Sequence, residues 1–342
     1  MPAPHRSRSR NPRSAPDAAQ TASKDGVGGP PDGTVAGTVI RSHGLWHEVA
    51  PDGSDKVLIA TVRGQLKRRK RGTDIVAVGD RVWVTLLPDN EAVVEYVAPR
   101  IRTLGRTARH TRDVEQVILA NPDQVMFVFA THDPEPHLRM LDRFIILAEL
   151  QEIPIHIVVT KMDLDGRPGS VPARERFADH ERSFPVHYLS TVTGEGMDEL
   201  RAALTGKISA VAGPSGVGKS SLLNVLDPGY QRDIGDVSTA TGKGKHTTVG
   251  ARLHTLGDNT FVADTPGMRA ITMVAVPPEK LDWSFRELRP YLGDCFYHDC
   301  SHTHEPDCAV IAAVDSGHIP RSRYESYAAL RRGDEINDSP VW

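Results

Sequence analysis

Residues 208–224 read ISAVAGPSGVGKSSLLN, and the fold prediction starts from this stretch. Its centre, from Gly213 to Ser220, matches the pattern G-x-x-x-x-G-K-[ST], with a strand-like apolar run before it and a helix-like run after it. Glycines in such a loop allow backbone N–H groups to close around a phosphate at the N-terminus of the helix. The stretch therefore predicts a parallel α/β domain that binds a nucleoside triphosphate.

The residues of this phosphate loop have distinct expected roles. Lys219 would bridge the β- and γ-phosphates and stabilise the charge of the transition state, which makes it a catalytic candidate. Ser220 would offer its hydroxyl oxygen to Mg²⁺. The expected phosphate-binding residues are Gly213, Pro214, Ser215, Gly216, Val217, Gly218, Lys219, Ser220 and Ser221.

Two further phosphate-side motifs lie downstream of the loop. Residues 261–267 read FVADTPG, an apolar run that ends in D-x-x-G. Asp264 would hold Mg²⁺ through a water molecule, and the Gly267 N–H would contact the γ-phosphate. Between the phosphate loop and this D-x-x-G motif, residues 242–248 read GKGKHTT, a candidate first switch. Its threonine would complete the magnesium shell, and either Thr247 or Thr248 could do so.

The base-reading motif lies upstream of the phosphate loop. Residues 160–163 read TKMD after an apolar run, and the Asp163 carboxylate could accept hydrogen bonds from both N1–H and N2–H₂ of guanine. Adenine has no such pair of donors and would leave the carboxylate desolvated and unpaired. Lys161 would lie over the ring, and Ser190 would support the base loop. Thr160 stands where GTPases more often have Asn, which ties the base loop to the phosphate loop, so we expect weaker nucleotide binding.

The region before this domain predicts a tail and a small barrel. With 25% charged residues and a formal net charge of −3, the chain needs local basic clusters to contact nucleic acid. Residues 1–33 have the composition of a disordered basic tail. Short β-branched runs between turn residues predict an antiparallel barrel over residues 34–99, of OB or SH3-like topology. One barrel loop carries five consecutive charges suited to RNA phosphates: Lys67, Arg68, Arg69, Lys70 and Arg71.

The cysteines predict a metal site near the C-terminus. All 3 cysteines of the chain lie in one segment with the spacing Cys295-x₄-Cys300-x-His302-x₅-Cys308. Three thiolates and one imidazole complete a tetrahedral shell for one Zn²⁺ with no open position, which indicates a structural role. His298 and His304 are spare candidates that we expect to be exposed loop residues. The absence of a disulfide framework and of a long apolar run predicts a cytoplasmic protein that does not enter membranes.

The order of the motifs is base motif, supporting loop, phosphate loop, first switch and Asp-Thr-Pro-Gly, as in circularly permuted GTPases. With the barrel and the cysteine cluster, the chain resembles the ribosome small-subunit-dependent GTPase A family (RsgA or YjeQ) from about Gly37 to Arg332. The resemblance implies an OB-fold over residues 34–99, a permuted GTPase domain over residues 100–276, and a zinc domain with a C-terminal helix over residues 277–342. It also implies that the protein binds the 30S subunit and its 16S rRNA late in assembly and hydrolyses GTP to GDP faster when bound. No coiled-coil pattern or apolar patch indicates a dimer, so we expect a monomer.

Hydrolysis in many GTPases relies on a Gln directly after D-x-x-G, which orients the attacking water. Met268 occupies that position, so we expect slow intrinsic turnover. His246, next to the switch threonines, is the candidate for the missing group, although it could equally contact RNA. Two other functions remain open, namely an RNA-binding module that senses GTP and GDP, and a small-molecule kinase. Asp163 and the lack of a recognisable acceptor site argue against the kinase.

Overall fold

The computed structural model describes residues 29–54, 56–64, 75–107, 115–227, 230, 251–264 and 278–333. Most of the predicted tail lies outside these ranges. So do several predicted site residues: Lys67, Arg68, Arg69, Lys70, Arg71, His246, Thr247, Thr248, Gly267 and Met268.

The N-terminal strands form a closed barrel in the order β1-β2-β3-β5-β4. The strands are β1 (Val35–Ser42), β2 (Trp46–Pro51), β3 (Leu58–Val62), β4 (Arg81–Leu86) and β5 (Glu91–Val97). All neighbours are antiparallel except β3 and β5, and β1 closes the barrel by pairing with both β2 and β4. Alternate apolar side chains fill the interior, as in Val82 and Val84 of β4. This arrangement confirms the predicted OB-type barrel.

A two-stranded ribbon follows the barrel and consists of β6 (Thr103–Thr107) and β7 (Glu115–Ala120). A buried ion pair fixes the junction, because the Arg100 Nε donates to the Asp80 Oδ1 over 2.7 Å while the other oxygen of Asp80 accepts from the Ala77 N–H. Gly79 lies directly against the ribbon, and a Cβ there would stand 2.0 Å from the Ala120 carbonyl oxygen. This junction requires glycine, since Gly79 also has a φ of +89°.

The central domain is a six-stranded sheet in the order β10-β9-β8-β11-β13-β12. Its strands are β8 (Gln124–Ala130), β9 (Ile155–Thr160), β10 (Val186–Tyr188), β11 (Ile208–Ala212), β12 (Arg252–Thr255) and β13 (Phe261–Asp264). Every pair is parallel except β12 with β13. All residues of β8 are buried, as expected for a strand covered on both faces. The parallel sheet predicted from the apolar runs is therefore confirmed.

Helices connect the parallel strands. They are α1 (Leu138–Leu150), α2 (Ala173–Arg176), α3 (Ala178–Glu181), α4 (Met197–Leu204) and α5 (Lys219–Leu226), with a 3₁₀ turn at Met162–Leu164. In α1 the buried residues Leu141, Ile145 and Ala148 recur at helical spacing and face the sheet core. The sequence alone indicates this helix, because residues 138, 141, 145 and 148 are apolar and recur at helical spacing.

The C-terminal region packs on the opposite side of α1. It contains α6 (Pro278–Ser284), α7 (Ala309–Asp315), α8 (Arg321–Arg332) and a 3₁₀ turn at Arg289–Tyr291. Ile146 of α1 joins its apolar cluster, and the buried Arg323 of α8 forms ion pairs with Asp142 and Glu287. The pair with Asp142 joins the two regions, and removing either partner would leave a buried charge unpaired. Among the described helices, none has the length and apolar character needed to cross a bilayer.

Candidate functional site

The phosphate loop lies at the carboxyl edge of the sheet, between β11 and α5. Gly213 passes so close to β8 that a Cβ would stand 2.1 Å from the Val128 carbonyl oxygen. Gly216 and Gly218 have φ values of +76° and +90°, which residues other than glycine rarely adopt. These backbone requirements explain the three glycines, and the loop leads directly into the N-terminus of α5, where backbone N–H groups favour an anion.

Lys219 is the first residue of α5, and its ammonium is held against the loop. The Nζ donates to the Gly213 carbonyl over 2.9 Å and also to the Pro214 carbonyl. A positive charge and the helix N-terminus therefore act on the same small volume, which favours a phosphate there.

The base-reading residues lie next to the phosphate loop, at the end of β9. The Thr160 hydroxyl contacts the Val217 carbonyl oxygen over 2.5 Å and the Phe129 carbonyl oxygen over 3.2 Å. In this chain a threonine hydroxyl thus links the base loop to the phosphate loop, the link that Asn was expected to supply. Lys161 adopts a left-handed conformation with a φ of 62°, and its Nζ donates to the Asp133 carbonyl.

Asp163 is oriented by Ser190. The Ser190 hydroxyl donates to the Asp163 Oδ1 over 2.5 Å, and Ser190 itself is fully buried. The backbone N–H groups of Val192 and Thr193 each donate to the Ser190 oxygen over 3.2 Å. A loop four residues long therefore fixes one carboxylate oxygen of Asp163. The bond from the Ser190 hydroxyl uses one acceptor site of Oδ1 and leaves acceptor sites on both carboxylate oxygens.

The residues predicted to hold magnesium lie on neighbouring elements. Asp264 ends β13 and pairs in register with Val211 of β11, directly before the phosphate loop that carries Ser220. Tyr230, which the sequence analysis missed, donates from its hydroxyl to the Asp264 Oδ2 over 3.0 Å. Burial and then the Asp264 carboxylate raise the pKa of Tyr230 to about 12, so the phenol is protonated at neutral pH. No local sequence signal marks a tyrosine at this place.

The cysteine cluster forms a compact set of metal-ligand atoms. The ligand atoms of Cys295, Cys300, His302 and Cys308 all lie within 4.8 Å of one another. The Sγ atoms of Cys295 and Cys308 are 3.7 Å apart, and the His302 Nδ1 lies 3.4 Å and 3.5 Å from them. Burial raises the pKa of the Cys300 and Cys308 thiols, so a cation at the centre is needed to favour the thiolates. The spare candidates are exposed, as expected, and the side chain of His304 is 80% exposed.

A phosphate loop, the Ser190-oriented Asp163 carboxylate upstream of it and a closed barrel before both are the features expected of a circularly permuted P-loop GTPase. The sequence model of the RsgA GTPase family matches residues 97–274. The Small ribosomal subunit biogenesis GTPase RsgA of Gemmatimonas aurantiaca is 41% identical over 306 residues, which cover 89% of this chain and 98% of that relative. The protein of the same name from Moorella thermoacetica is 38% identical, over 86% of this chain and 95% of its own. The chain therefore belongs to the RsgA GTPase family and is a GTPase.

Two solved structures support the same assignment. The crystal structure of YjeQ from Thermotoga maritima superposes with a TM-score of 0.72 and 32% identity, covering 88% of this chain and 98% of that one. YloQ, described as a circularly permuted GTPase, superposes with a TM-score of 0.67 and 26% identity, covering 88% and 94% of the two chains. The permuted fold is therefore common to all three chains.

Replacing Thr160 with Val is expected to weaken GDP binding by about two- to tenfold, the cost of one lost hydrogen bond of about 0.5–1.5 kcal/mol. The change removes the hydroxyl link to the Val217 carbonyl and keeps the branched shape of the side chain. Titration with a fluorescent GDP analogue measures the effect. Thr205→Val is the control, since it removes a hydroxyl-to-carbonyl bond at the end of α4. Equal affinities for Thr160→Val and the unchanged protein would show that the link is unimportant.

Proposed function

We propose that this GTPase binds the 30S ribosomal subunit through its 16S rRNA and hydrolyses GTP to GDP and phosphate late in the maturation of that subunit. The observation that carries the proposal is the match to proteins named Small ribosomal subunit biogenesis GTPase RsgA over nearly their whole length. Under this proposal residues 34–99 bind RNA, residues 100–276 bind and hydrolyse GTP, and residues 277–342 form a zinc domain. The protein acts as a cytoplasmic monomer.

Co-sedimentation tests this function directly. The protein is expected to travel with purified 30S subunits in a sucrose gradient when a non-hydrolysable GTP analogue is present, and to leave them when GDP replaces it. Purified 50S subunits serve as the control. Equal binding to both subunits, or to neither, would contradict the proposed partner.

Guanine and phosphate recognition follow from the described side chains. The two carboxylate oxygens of Asp163 accept from the N1–H and the N2–H₂ of guanine, while the Ser190 hydroxyl fixes the carboxylate by donating to its Oδ1. Lys219 moves from the loop carbonyls to the β- and γ-phosphates and stabilises the transferred charge. The Gly267 N–H and the switch threonines, which lie outside the described residues, contact the γ-phosphate side.

Mg²⁺ suits the donor set at the end of β13, because a hydroxyl and a carboxylate are the hard oxygen ligands that this ion takes beside nucleotide phosphates. Ser220 would coordinate it directly, Asp264 through water, and Thr248 or Thr247 would complete the shell. When bound, the ion neutralises charge on the β- and γ-phosphates. The residues of the chain position its ligands and the nucleotide.

Zn²⁺ suits the cysteine cluster. A tetrahedral shell with Zn–S bonds of about 2.3 Å places its sulfur atoms about 3.7–3.8 Å apart. The distance between the Cys295 and Cys308 sulfurs is 3.7 Å. Cys295, Cys300, His302 and Cys308 would hold one structural zinc ion, with the His302 Nδ1 as the nitrogen ligand.

Replacing His246 with Ala is expected to lower the 30S-stimulated rate of hydrolysis by about 10²-fold or more, the usual cost of losing a group that handles the reacting water. The reason is that Met268 cannot orient the water at the position after D-x-x-G. Single-turnover hydrolysis at saturating 30S measures the chemical step separately from binding. An unchanged rate would contradict the assignment of His246 as a catalytic residue. Weaker 30S binding with an unchanged saturated rate would indicate an RNA contact.

Neutralising the five residues from Lys67 to Arg71 is expected to weaken 30S binding and to flatten its salt dependence, by up to about four units in the log–log slope. Each phosphate contact releases about 0.7–0.9 of a counterion, so five lost contacts account for this change. GTP affinity is expected to stay the same. A charge-conserving variant with Lys and Arg exchanged at all five positions is the matched control. An unchanged slope in the neutralised variant would place the RNA contact elsewhere.

Two alternatives to this function make different predictions. A module that only senses GTP and GDP would bind both nucleotides without multiple turnover. A small-molecule kinase would transfer phosphate to an acceptor and would need no guanine reader. The Ser190-oriented carboxylate of Asp163 favours the GTPase over the kinase.

A further inference from the structure

Tyr230 lies between the phosphate-loop helix and the end of β13. Its backbone N–H donates to the carbonyl of Asp227, the residue that follows α5, over 3.0 Å. Tyr230 is only 3% exposed. A buried phenol needs a hydrogen-bond partner. The partner of Tyr230 is the carboxylate of Asp264, a residue of the proposed magnesium site.

The Tyr230 hydroxyl contacts a side chain that belongs to the proposed magnesium site. It donates to the Asp264 Oδ2 over 3.0 Å. In the proposed function Asp264 holds the ion through water, so the inference below rests on that function. The hydroxyl therefore contacts a group that must be oriented around the ion.

The ring of Tyr230 is fixed by its packing. It belongs to an apolar cluster with Leu222 and Leu223 of α5 and Val262 of β13. His254 of β12 packs against it edge-on, with the ring centroids 4.7 Å apart. Moving the ring would open a large cavity between helix and sheet, at a cost typical of a lost core aromatic residue. The packing therefore fixes the position of the phenol oxygen next to Asp264.

We propose that Tyr230 is a positioning residue for the nucleotide-bound magnesium ion. The phenol donates to one oxygen of Asp264 and so directs the other oxygen towards the water that the ion carries. Neighbours of this kind orient metal ligands in many sites, and their loss lowers metal affinity by about 10–100-fold.

Tyr230→Phe tests the proposal because it removes only the hydroxyl oxygen and keeps the ring in the cluster. The readout is the affinity for a fluorescent GDP analogue, measured first in EDTA and then over a series of Mg²⁺ concentrations. In EDTA the variant and the unchanged protein are expected to agree within about twofold. The Mg²⁺ concentration at the midpoint of the affinity change is expected to rise about tenfold in the variant.

Tyr188→Phe is the matched control. Tyr188 is another buried tyrosine of the same domain, and its hydroxyl donates to the Glu181 Oε2 over 3.4 Å, away from the phosphate loop. Its Mg²⁺ midpoint is expected to stay unchanged. If Tyr230 acts through Asp264, adding Tyr230→Phe to Asp264→Asn is expected to produce less than the separate effect of Tyr230→Phe.

Three results would overturn the inference. An unchanged or lower Mg²⁺ midpoint in Tyr230→Phe would show that the hydroxyl does not position ligands of the ion. A large loss of GDP binding in EDTA would show that Tyr230 supports the loop itself. If Mg²⁺ did not affect GDP binding even in the unchanged protein, that result would contradict both the proposed magnesium site and the role of Tyr230.

Discussion

Replacing Asp163 with Asn is expected to weaken GTP binding by about 10²- to 10⁴-fold. The Ser190 hydroxyl donates to the Asp163 Oδ1 and so fixes the orientation of the carboxylate. The substitution removes two hydrogen bonds to a charged acceptor, each of about 1.5–3 kcal/mol. It also places an amide NH₂ opposite the N–H groups of guanine. The combined loss is about 3–6 kcal/mol, which gives the expected change in affinity.

Competition binding with GTP and xanthosine triphosphate measures this change and its cause. Xanthine carries an oxygen where guanine has the N2 amine, so the amide introduced by Asp163→Asn can donate to it, and the preference between the two nucleotides is expected to invert. Asp198→Asn, an exposed carboxylate in α4, is the matched control and should alter neither affinity. Unchanged GTP affinity in Asp163→Asn would contradict the assignment of the base reader.

Replacing Cys300 with Ser is expected to reduce bound zinc from about one equivalent per chain to nearly none and to unfold the region around α6, α7 and α8. Structural zinc contributes about 10–16 kcal/mol in small metal-bound domains, comparable to or larger than the whole stability of a typical domain. Cys300 and Cys308 are part of the apolar cluster that contains Phe285 and Tyr327, so losing the metal also disturbs the packing. Metal analysis and near-UV circular dichroism measure the two effects.

His304→Ala is the control for the metal site, because this neighbouring histidine is exposed and lies outside the ligand cluster. It should retain zinc and the near-UV spectrum. A Cys300→Ser protein that still holds one zinc ion would contradict the ligand assignment, and so would an unchanged spectrum after complete removal of the metal.

The features that could be predicted well from the sequence are those that depend on residues close together along the chain. The continuous apolar run of residues 125–129 indicates a covered parallel strand, and all seven residues of β8 are buried. The apolar spacing of α1 likewise indicates its buried face. The phosphate loop carries its glycines because the backbone needs them, and the cysteine spacing is local. Each of these signals depends on a short window of the chain, so it can be read without knowing the tertiary structure.

The features that sequence reasoning missed depend on contacts between distant residues. Thr160 meets Val217, which is 57 positions away, and Tyr230 meets Asp264, which is 34 positions away. The buried pair of Asp142 and Arg323 spans 181 positions. Their side chains have no pattern of their own, because only the packed sheet brings them together. The edge strand β12 was also missed, since its sequence RLHT lacks the apolar run of a central strand.

Steady-state hydrolysis by the purified protein, with and without 30S subunits, tests the central claim most directly. We expect slow hydrolysis of GTP alone, strong stimulation by 30S subunits, and no comparable turnover of ATP under either condition. Unstimulated hydrolysis in the presence of 30S, with GTP still bound, would contradict the proposed partner. ATP turnover equal to that of GTP would contradict the guanine-specific site at Asp163.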